Sequence, residues 1–425
     1  MSYLDKLLEG VTVEWKPLGN RSIGKFIRGG GLQKKDFTDI GVGCIHYGQI
    51  YTHYGTYTTT TKSFVSEEFA KKARMAKYGD LIIATTSEND EDLCKAVAWL
   101  GNDEIAVSSD ACYYRHNLNS KYVAYFFQTK KFHKQKRPFI TGAKVRRVNA
   151  DNLAKLLIPI PCPDYPEKSL NIQKKIVSIL DNLSKLTTEL TTELIAELTA
   201  RKKQYSYYRE QLLAFDESKV KHLPMGNENV GEFIRGKRFV KTDLVSEGVP
   251  TIHYGEMYTH YDTWADKTKS FVSKELVEKK KLRTAERGDV IIVAAGETIE
   301  DIGKGTAWLG EEGVVVHDAC FYYKSSLNPK YVAYFTRTRQ FHDQIRGHIS
   351  SGKISAINSK GLGKVKIPIP SKEEQNRIVK ILDKFDILNA SINEELTKEI
   401  QLRKKQYEYY REMLLDFPKK YRNIV

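Results

Sequence analysis

The segment Ile45–Glu68, IHYGQIYTHYGTYTTTTKSFVSEE, returns at Ile252–Glu275 as IHYGEMYTHYDTWADKTKSFVSKE, with 16 of 24 positions identical. The echo continues outward: GKFIRG at Gly24 and GEFIRG at Gly231, AWLG at Ala98 and Ala307, DACYY at Asp110 and DACFYY at Asp318. YVAYF recurs from Tyr122 and Tyr331, and IPIP from Ile158 and Ile367, so the copies keep an offset of 207 to 209 residues. A period this long exceeds a solenoid unit of roughly 20–50 residues and marks a duplicated domain with its own connector. Two such modules imply two similar targets, or one target with twofold symmetry.

A chain of 425 residues suits two domains plus connecting elements, and its 41% hydrophobic content permits real cores. The formal charge of +15 favours a polyanionic partner. Cys44, Cys94, Cys112, Cys162 and Cys320 lack C-x-x-C spacing, which argues against a zinc site or a disulfide framework and suits a reducing cytoplasm. No apolar run approaches the roughly 18 residues of a membrane span, and MSYLDKLLEG lacks a signal-peptide core.

Within each module, GDLIIATT from Gly79 and GDVIIVAAG from Gly288 read as buried strands. SKYVAYFFQTKKFHKQ from Ser120 and PKYVAYFTRTRQFHDQ from Pro329 carry apolar residues at helical spacing and read as amphipathic. IPIP forces an extended exit. Beyond it, Ile176, Ile179, Leu183, Leu186, Leu190 and Leu194 form a coiled-coil seam, repeated by Ile378, Ile381, Phe385, Leu388, Ile392 and Leu396. Both helices run on through RKKQYSYYREQLL and RKKQYEYYREMLL, from Arg201 and Arg403. The fold class expected is α+β: two duplicated α/β domains, at 1–161 and 217–370, joined by two long helices, at 162–216 and 371–425, paired as an antiparallel coiled coil.

Catalytic signatures are missing. GETIEDIGKGT from Gly296 has the wrong glycine spacing for a phosphate loop, with Gly305 where Ser or Thr should bind Mg²⁺. There is no dinucleotide fingerprint, H-E-x-x-H, nucleophile elbow or N-P-P-aromatic motif. The chain reads as non-catalytic and metal-free. The duplicated segment instead presents donors and flat rings suited to base edges and phosphates. His46, Tyr47, Gln49, His53, Tyr54, Thr58, Thr59, Thr60 and Lys62 are its candidates in the first copy. His253, Tyr254, Glu256, His260, Tyr261, Lys267 and Lys269 are those of the second. A second candidate loop, TGAKVRRVNADNL from Thr141 against SSGKISAINSKGL from Ser350, adds Lys144, Arg146, Arg147 and Lys353. The run TKKFHKQKRPF, with Lys130, Lys131, Lys134, Lys136 and Arg137, is a further basic stretch that reads either as a DNA contact or as a solvated helix face.

The arrangement resembles the specificity subunit of type I restriction-modification systems over essentially the whole chain. Its most specific part is the I-P-x-P exit followed by E-Q-x-x-I at Glu374 to Ile378 and a long helix. The first copy keeps Gln173 behind Asn171 and Ile172, after an insertion of about seven residues. The resemblance implies two target recognition domains reading the halves of a bipartite double-stranded DNA site, and helices that set the unread spacer. It also implies two methyltransferase subunits carrying S-adenosylmethionine, and restriction or motor subunits using ATP and Mg²⁺. Tyr205, Tyr208, Tyr407 and Tyr410 are the residues expected to dock the methyltransferases, or else to cap the coiled coil. The tandem TTEL at Thr187, TTEL at Thr191 and IAEL at Ile195 is expected to act as the spacer ruler. The alternative reading is a bivalent RNA-binding scaffold with a coiled-coil strut, its tyrosines serving as stacking platforms.

Overall fold

The computed structural model describes residues 11–350, 352 and 354–417, and these divide into two compact units. One comprises residues up to Glu193 together with Glu399 onward; the other is the continuous stretch Leu194–Lys398.

In the first unit, a five-stranded sheet runs in the order Gly24–Arg28, Ala111–His116, Leu81–Ala84, Ala96–Trp99 and Tyr57–Thr58. A second sheet runs Phe37–Thr38, Ser63–Val65, Val42–Ile45, Ile105–Val107 and Met75–Ala76. The unbroken apolar run Leu81–Ala84 follows from burial on both faces. Ile82 and Ala84 enter a core shared with Ile45, Val107 and Tyr113, whereas Leu81 and Ile83 face Tyr122, Phe126, Ile176 and Leu180. The second unit repeats this division, with Val290 and Ile292 in one core and Ile291 and Val293 in the other.

The strand registers change one sequence equivalence. Ala111 lies opposite Ala84, and Cys320 lies opposite Val293. Structurally, then, Ala111 answers Cys320 and Asp110 answers Ala319, so the two aspartates of the DAC motifs are not equivalent. Asp110 and Ala319 each accept a bond through the backbone carbonyl, from Thr85 N at 2.9 Å and Ala294 N at 2.8 Å. The aromatic residues of these strands stay aligned because the sheet, and not the short motif, fixes the register.

The stretch after Ser120 forms two helices, Ser120–Phe126 and Lys130–Lys136. Thr129 divides them, its Oγ1 accepting from Phe132 N at 3.2 Å as an N-cap. Tyr122 to Phe126 are all buried, so the first of these helices is not amphipathic. The extended exits close the modules as edge strands, Leu157–Pro161 against Val13–Pro17 and Lys366–Pro368 against His222–Pro224. Edge positions tolerate the prolines, which have no N–H to donate.

The long helices are Pro166–Leu213 and Lys372–Leu415, about 72 and 66 Å long at about 1.5 Å per residue. Gln173 and Gln375 play one role near their starts, each Oε1 accepting at 2.9 Å from the backbone N of Asn119 or Asn328. Those asparagines in turn cap the first helix of each YVAYF stretch. Inside each unit the two helix segments run antiparallel. In the first, Tyr407 lies beside Ser184 while Leu414 and Leu415 join Ile176, Val177 and Leu180. In the second, Tyr208 stacks on Phe385 at 5.7 Å while Leu213 joins Ile378 and Leu382. The expected seam needs one adjustment, because Leu186 and Leu388 are 53% and 56% exposed. Half-buried Thr187 and Asn389 take the inward positions beside them.

A matched pair of turn acceptors carries a pH prediction. Leu118 N donates to His116 Nδ1 at 3.2 Å, and in the other copy Leu327 N donates to Ser325 Oγ at 3.3 Å. Burial pushes the His116 imidazole down to about 4, from an ordinary 6.5. The unfolded chain binds this proton more tightly than the native one, so the stability is present above pH 6.5 and lost as pH falls towards 4. His116→Ser keeps the acceptor and removes this proton linkage. Thermal melts from pH 7 to 4.5 are expected to show the variant retaining on the order of 2 kcal/mol more of its neutral-pH stability. His133, also lowered to about 4 by burial and the nearby Lys136 and Arg411 charges, leaves a residual slope. Identical slopes in parent and variant would refute the assignment.

Candidate nucleic-acid interface

The duplicated segment folds in each unit as a short helix followed by an extended arm. In the first copy the helix is Tyr47–Thr52, with His46 at its N-cap. His46 Nδ1 accepts from Gly48 N at 3.2 Å, while Gln49 Oε1 accepts from His46 N at 3.0 Å and its Nε2 donates to Ser63 Oγ at 2.7 Å. The second copy repeats the frame. Gly255 N donates to His253 Nδ1 at 3.3 Å, His253 N donates to Glu256 at 3.1 Å, and Ser270 Oγ donates to the same carboxylate.

Burial, with the Lys34 charge and against Asp110, keeps the His46 imidazole below its ordinary pKa. At His253 burial does the same, opposed by Glu256 and helped by Lys241. Both rings are therefore neutral near pH 7. With Nδ1 accepting from the backbone, the proton sits on Nε2, where it can donate to a base-edge acceptor.

Tyr54 and Tyr261 do not present themselves to a ligand. Each is 6% exposed and accepts through its hydroxyl from the arm, from Lys62 N at 2.7 Å and Lys269 N at 2.8 Å. Gln49 and Glu256 likewise spend their polar atoms inside the segment. These four residues build the platform. The exposed candidates are His53, Thr59, Thr60 and Lys62 in one copy and Tyr254, His260, Lys267 and Lys269 in the other, with His46, Tyr47, Thr58 and His253 half-buried. Thr58 Oγ1 donates to Thr60 O at 2.7 Å and so shapes the arm.

The structure brings the second candidate loop to the same side. Tyr51 Oη donates to Thr86 O at 2.6 Å, and the strand Thr86–Ser87 pairs with Arg146–Arg147. In the second copy Tyr258 Oη donates to Ala295 O at 3.1 Å, and Ala295–Gly296 pairs with Ser355–Ala356. Thr141 and Arg147 exchange backbone bonds at 3.0 and 2.8 Å, making a hairpin with Lys144 at its exposed tip. Gly142 needs its φ of +88° there, since a Cβ would meet Val145 O at 2.1 Å. Arg146 is tied to Asp90 at 3.0 Å and to Gly142 O at 2.7 Å, whereas Arg147 is exposed. Lys353 lies outside the described residues.

Two lysines of the basic run are structural. Lys136 is 2% exposed and donates to Glu91 O at 3.2 Å and to Leu93 O, and Lys131 pairs with Asp416 at 2.5 Å over the Trp15 ring. Among the tyrosines on the long helices, Tyr205 faces inward, its Oη donating to Asp386 at 2.5 Å, and Tyr407 packs on the first core. Tyr208 is 43% exposed and Tyr410 half-buried, while Tyr207 and Tyr409, which the sequence pattern did not single out, are 60% and 64% exposed. The seam register was the signal for them: a tyrosine two residues past an inward one turns about 200° away.

Residues 12–200 and 225–402 match the pattern of the type I restriction modification DNA specificity domain, and the chain belongs to that family. It is 34% identical over 434 residues to the type I restriction enzyme EcoR124I/EcoR124II specificity subunit of Escherichia coli, covering 99% of this chain and 98% of that one. It is 31% identical over 437 residues to a putative specificity subunit, S.HindORF215P, of Haemophilus influenzae, covering 98% of each. Two solved structures share the fold at 16% identity. One is a chain from a study of type I R-M complex assembly and conformational transition, with a TM-score of 0.71 over 95% of this chain and 97% of that one. The other is the HsdS subunit of Thermoanaerobacter tengcongensis, with a TM-score of 0.55 over 95% and 96%. The protein is thus a specificity component and not the enzyme of such a system. No helix among the described residues is long and apolar enough to cross a membrane.

Proposed function

We propose that each module reads one half of a bipartite, nearly palindromic double-stranded DNA site through its copy of the duplicated segment. The observation that carries this reading is the repeated platform: the same histidine-to-backbone turn and the same tyrosine staple hold His46 and Lys62 in one copy as they hold His253 and Lys269 in the other. The imidazole Nε2–H groups suit base acceptors, and the lysines, with Lys144 and Arg147, suit phosphates. The exposed Tyr207, Tyr208 and Tyr409 offer anchors for two methyltransferase subunits, which carry S-adenosylmethionine; restriction subunits with ATP and Mg²⁺ complete the cytoplasmic assembly.

Salt-dependent binding tests the division of labour. Lys62→Ala or Lys269→Ala is expected to weaken binding to all duplexes about equally and to reduce the salt slope by roughly 1. His46→Ala or His253→Ala is expected to cost on the order of 1–3 kcal/mol on the correct sequence only. An unchanged slope with an altered base preference would move the lysines to the base-reading group. Stronger competition by single-stranded RNA than by duplex DNA would favour the stacking scaffold instead.

A further inference from the structure

The letters of the two segments are nearly the same, but the layer beneath them is not. Ser108, 1% exposed, accepts from Tyr47 N through its Oγ at 2.9 Å and so ties down the first turn of the helix. Strand register places Val107 beside Ile45 and Val316 beside Ile252, so the position answering Ser108 is His317. That imidazole, 8% exposed, accepts from Ala319 N at 3.0 Å. Its ring lies 4.7 Å from His253, 5.1 Å from Tyr254 and 5.0 Å from Phe239.

The neighbours are exchanged as well. Leu32 and Phe37 of the first copy stand where the second has Phe239 and Leu244. The aromatic ring packed against the capping histidine thus comes from opposite positions, Phe37 at 6.0 Å from His46 and Phe239 at 5.9 Å from His253. The surface over this layer differs accordingly. The helix begins at Tyr47 in the first copy and only at Glu256 in the second, so Tyr47 is helical while Tyr254 lies in a turn and is 36% exposed.

We infer that the buried layer Leu32, Phe37 and Ser108, answered by Phe239, Leu244 and His317, helps set which base each half-site prefers, by holding Tyr47 through its backbone N–H and Tyr254 through ring packing, although both rings lie 4.6 Å from their capping histidines. Ser108 and His317 are positioning residues that act through the tyrosine over them. The inference rests on the reading that the segment meets DNA. It adds a buried difference to the exposed ones, Gly55 against Asp262 and Thr59 and Thr60 against Asp266 and Lys267.

The test transplants the layer. The triple variant Leu32→Phe, Phe37→Leu, Ser108→His, assembled with its methyltransferase subunits, is assayed by sequencing methylated adenines. The first module's half-site is expected to change at one position, with the other half-site and the spacer unchanged. Ser108→Ala removes only the acceptor and adds no bulk, so it serves as the second variant, read by competition among duplexes carrying single-base substitutions. A change of roughly 5-fold or more in discrimination at that position is expected. An active triple variant with the parental motif, or a folded Ser108→Ala protein with parental discrimination, would overturn the inference. A parent protein showing no base preference would overturn the DNA reading itself.

Discussion

Deleting Thr191–Leu194 is expected to leave both half-sites intact and to shorten the unread spacer by about one base pair. The deletion shortens the helix by about 6 Å and rotates its downstream part by about 40° at 3.6 residues per turn. One base pair of B-DNA advances about 3.4 Å and rotates about 34–36° at roughly 10–10.5 pairs per turn. The rotations nearly match, and a helix inclined to the DNA axis projects a smaller axial step. The structure shows why the repeat tolerates a change in copy number. Leu190, Leu194 and Leu198 are all half-buried at a spacing of four, so the next leucine slides into the vacated place. On the outer side, Thr188 and Thr192 donate to the carbonyls of Ser184 and Thr188 at 2.9 and 2.8 Å, bonds local to the helix, so removing Thr192 strands no partner on another element. Sequencing of methylated adenines checks the result. An active deletion protein with the parental spacer would rule out the ruler.

Asp386→Ala is expected to destabilise the second unit by about 3 kcal/mol. Its carboxylate accepts from Tyr205 Oη at 2.5 Å and from Tyr334 Oη at 2.6 Å, so one side chain ties both helix segments to the sheet-bearing module. Truncation leaves two phenols without this acceptor, each bond to a charged group being worth about 1.5–3 kcal/mol. Tyr334 retains Asp383 at 2.9 Å, which holds the total below the sum. The first unit solves the same problem with divided labour: Tyr125 donates to Asp181 at 2.7 Å, and Tyr407 lies beside Ser184, the counterpart of Asp386. Asp386→Ser is therefore expected to lose less than the alanine variant. Urea unfolding of the full chain, with tyrosine fluorescence as the probe, measures both, and equal stabilities would refute the linkage.

Much of this architecture was legible in the chain because duplication prints every element twice. The strands from Gly79 and Gly288, the extended exits and the long helices all stood out by pattern. What the sequence hid was the direction in which individual side chains point. Tyr54 and His53 are adjacent and equally plausible as contacts, yet one is a buried strut and the other is exposed. Lys136 sits in a basic run that reads as surface charge, and only packing shows its ammonium closing a loop through two carbonyls. The inward register of Thr187 over Leu186 was likewise invisible, since a hydrophobicity pattern favours the leucine. The layer containing Ser108 was out of reach altogether, for it lies some 60 residues from the helix it supports.

The order in which the chain contributes to its cores has a consequence for biogenesis. The second unit is one uninterrupted stretch, enclosed within the two parts of the first. The first core includes Leu414, Leu415 and Phe417, which are 2%, 1% and 0% exposed, so it stays open until the ribosome has delivered them. Synthesis and completion therefore run in opposite order: the module made first is finished last. A chain truncated after Lys398 and released from the ribosome is expected to protect its second module from protease while the first is still cut.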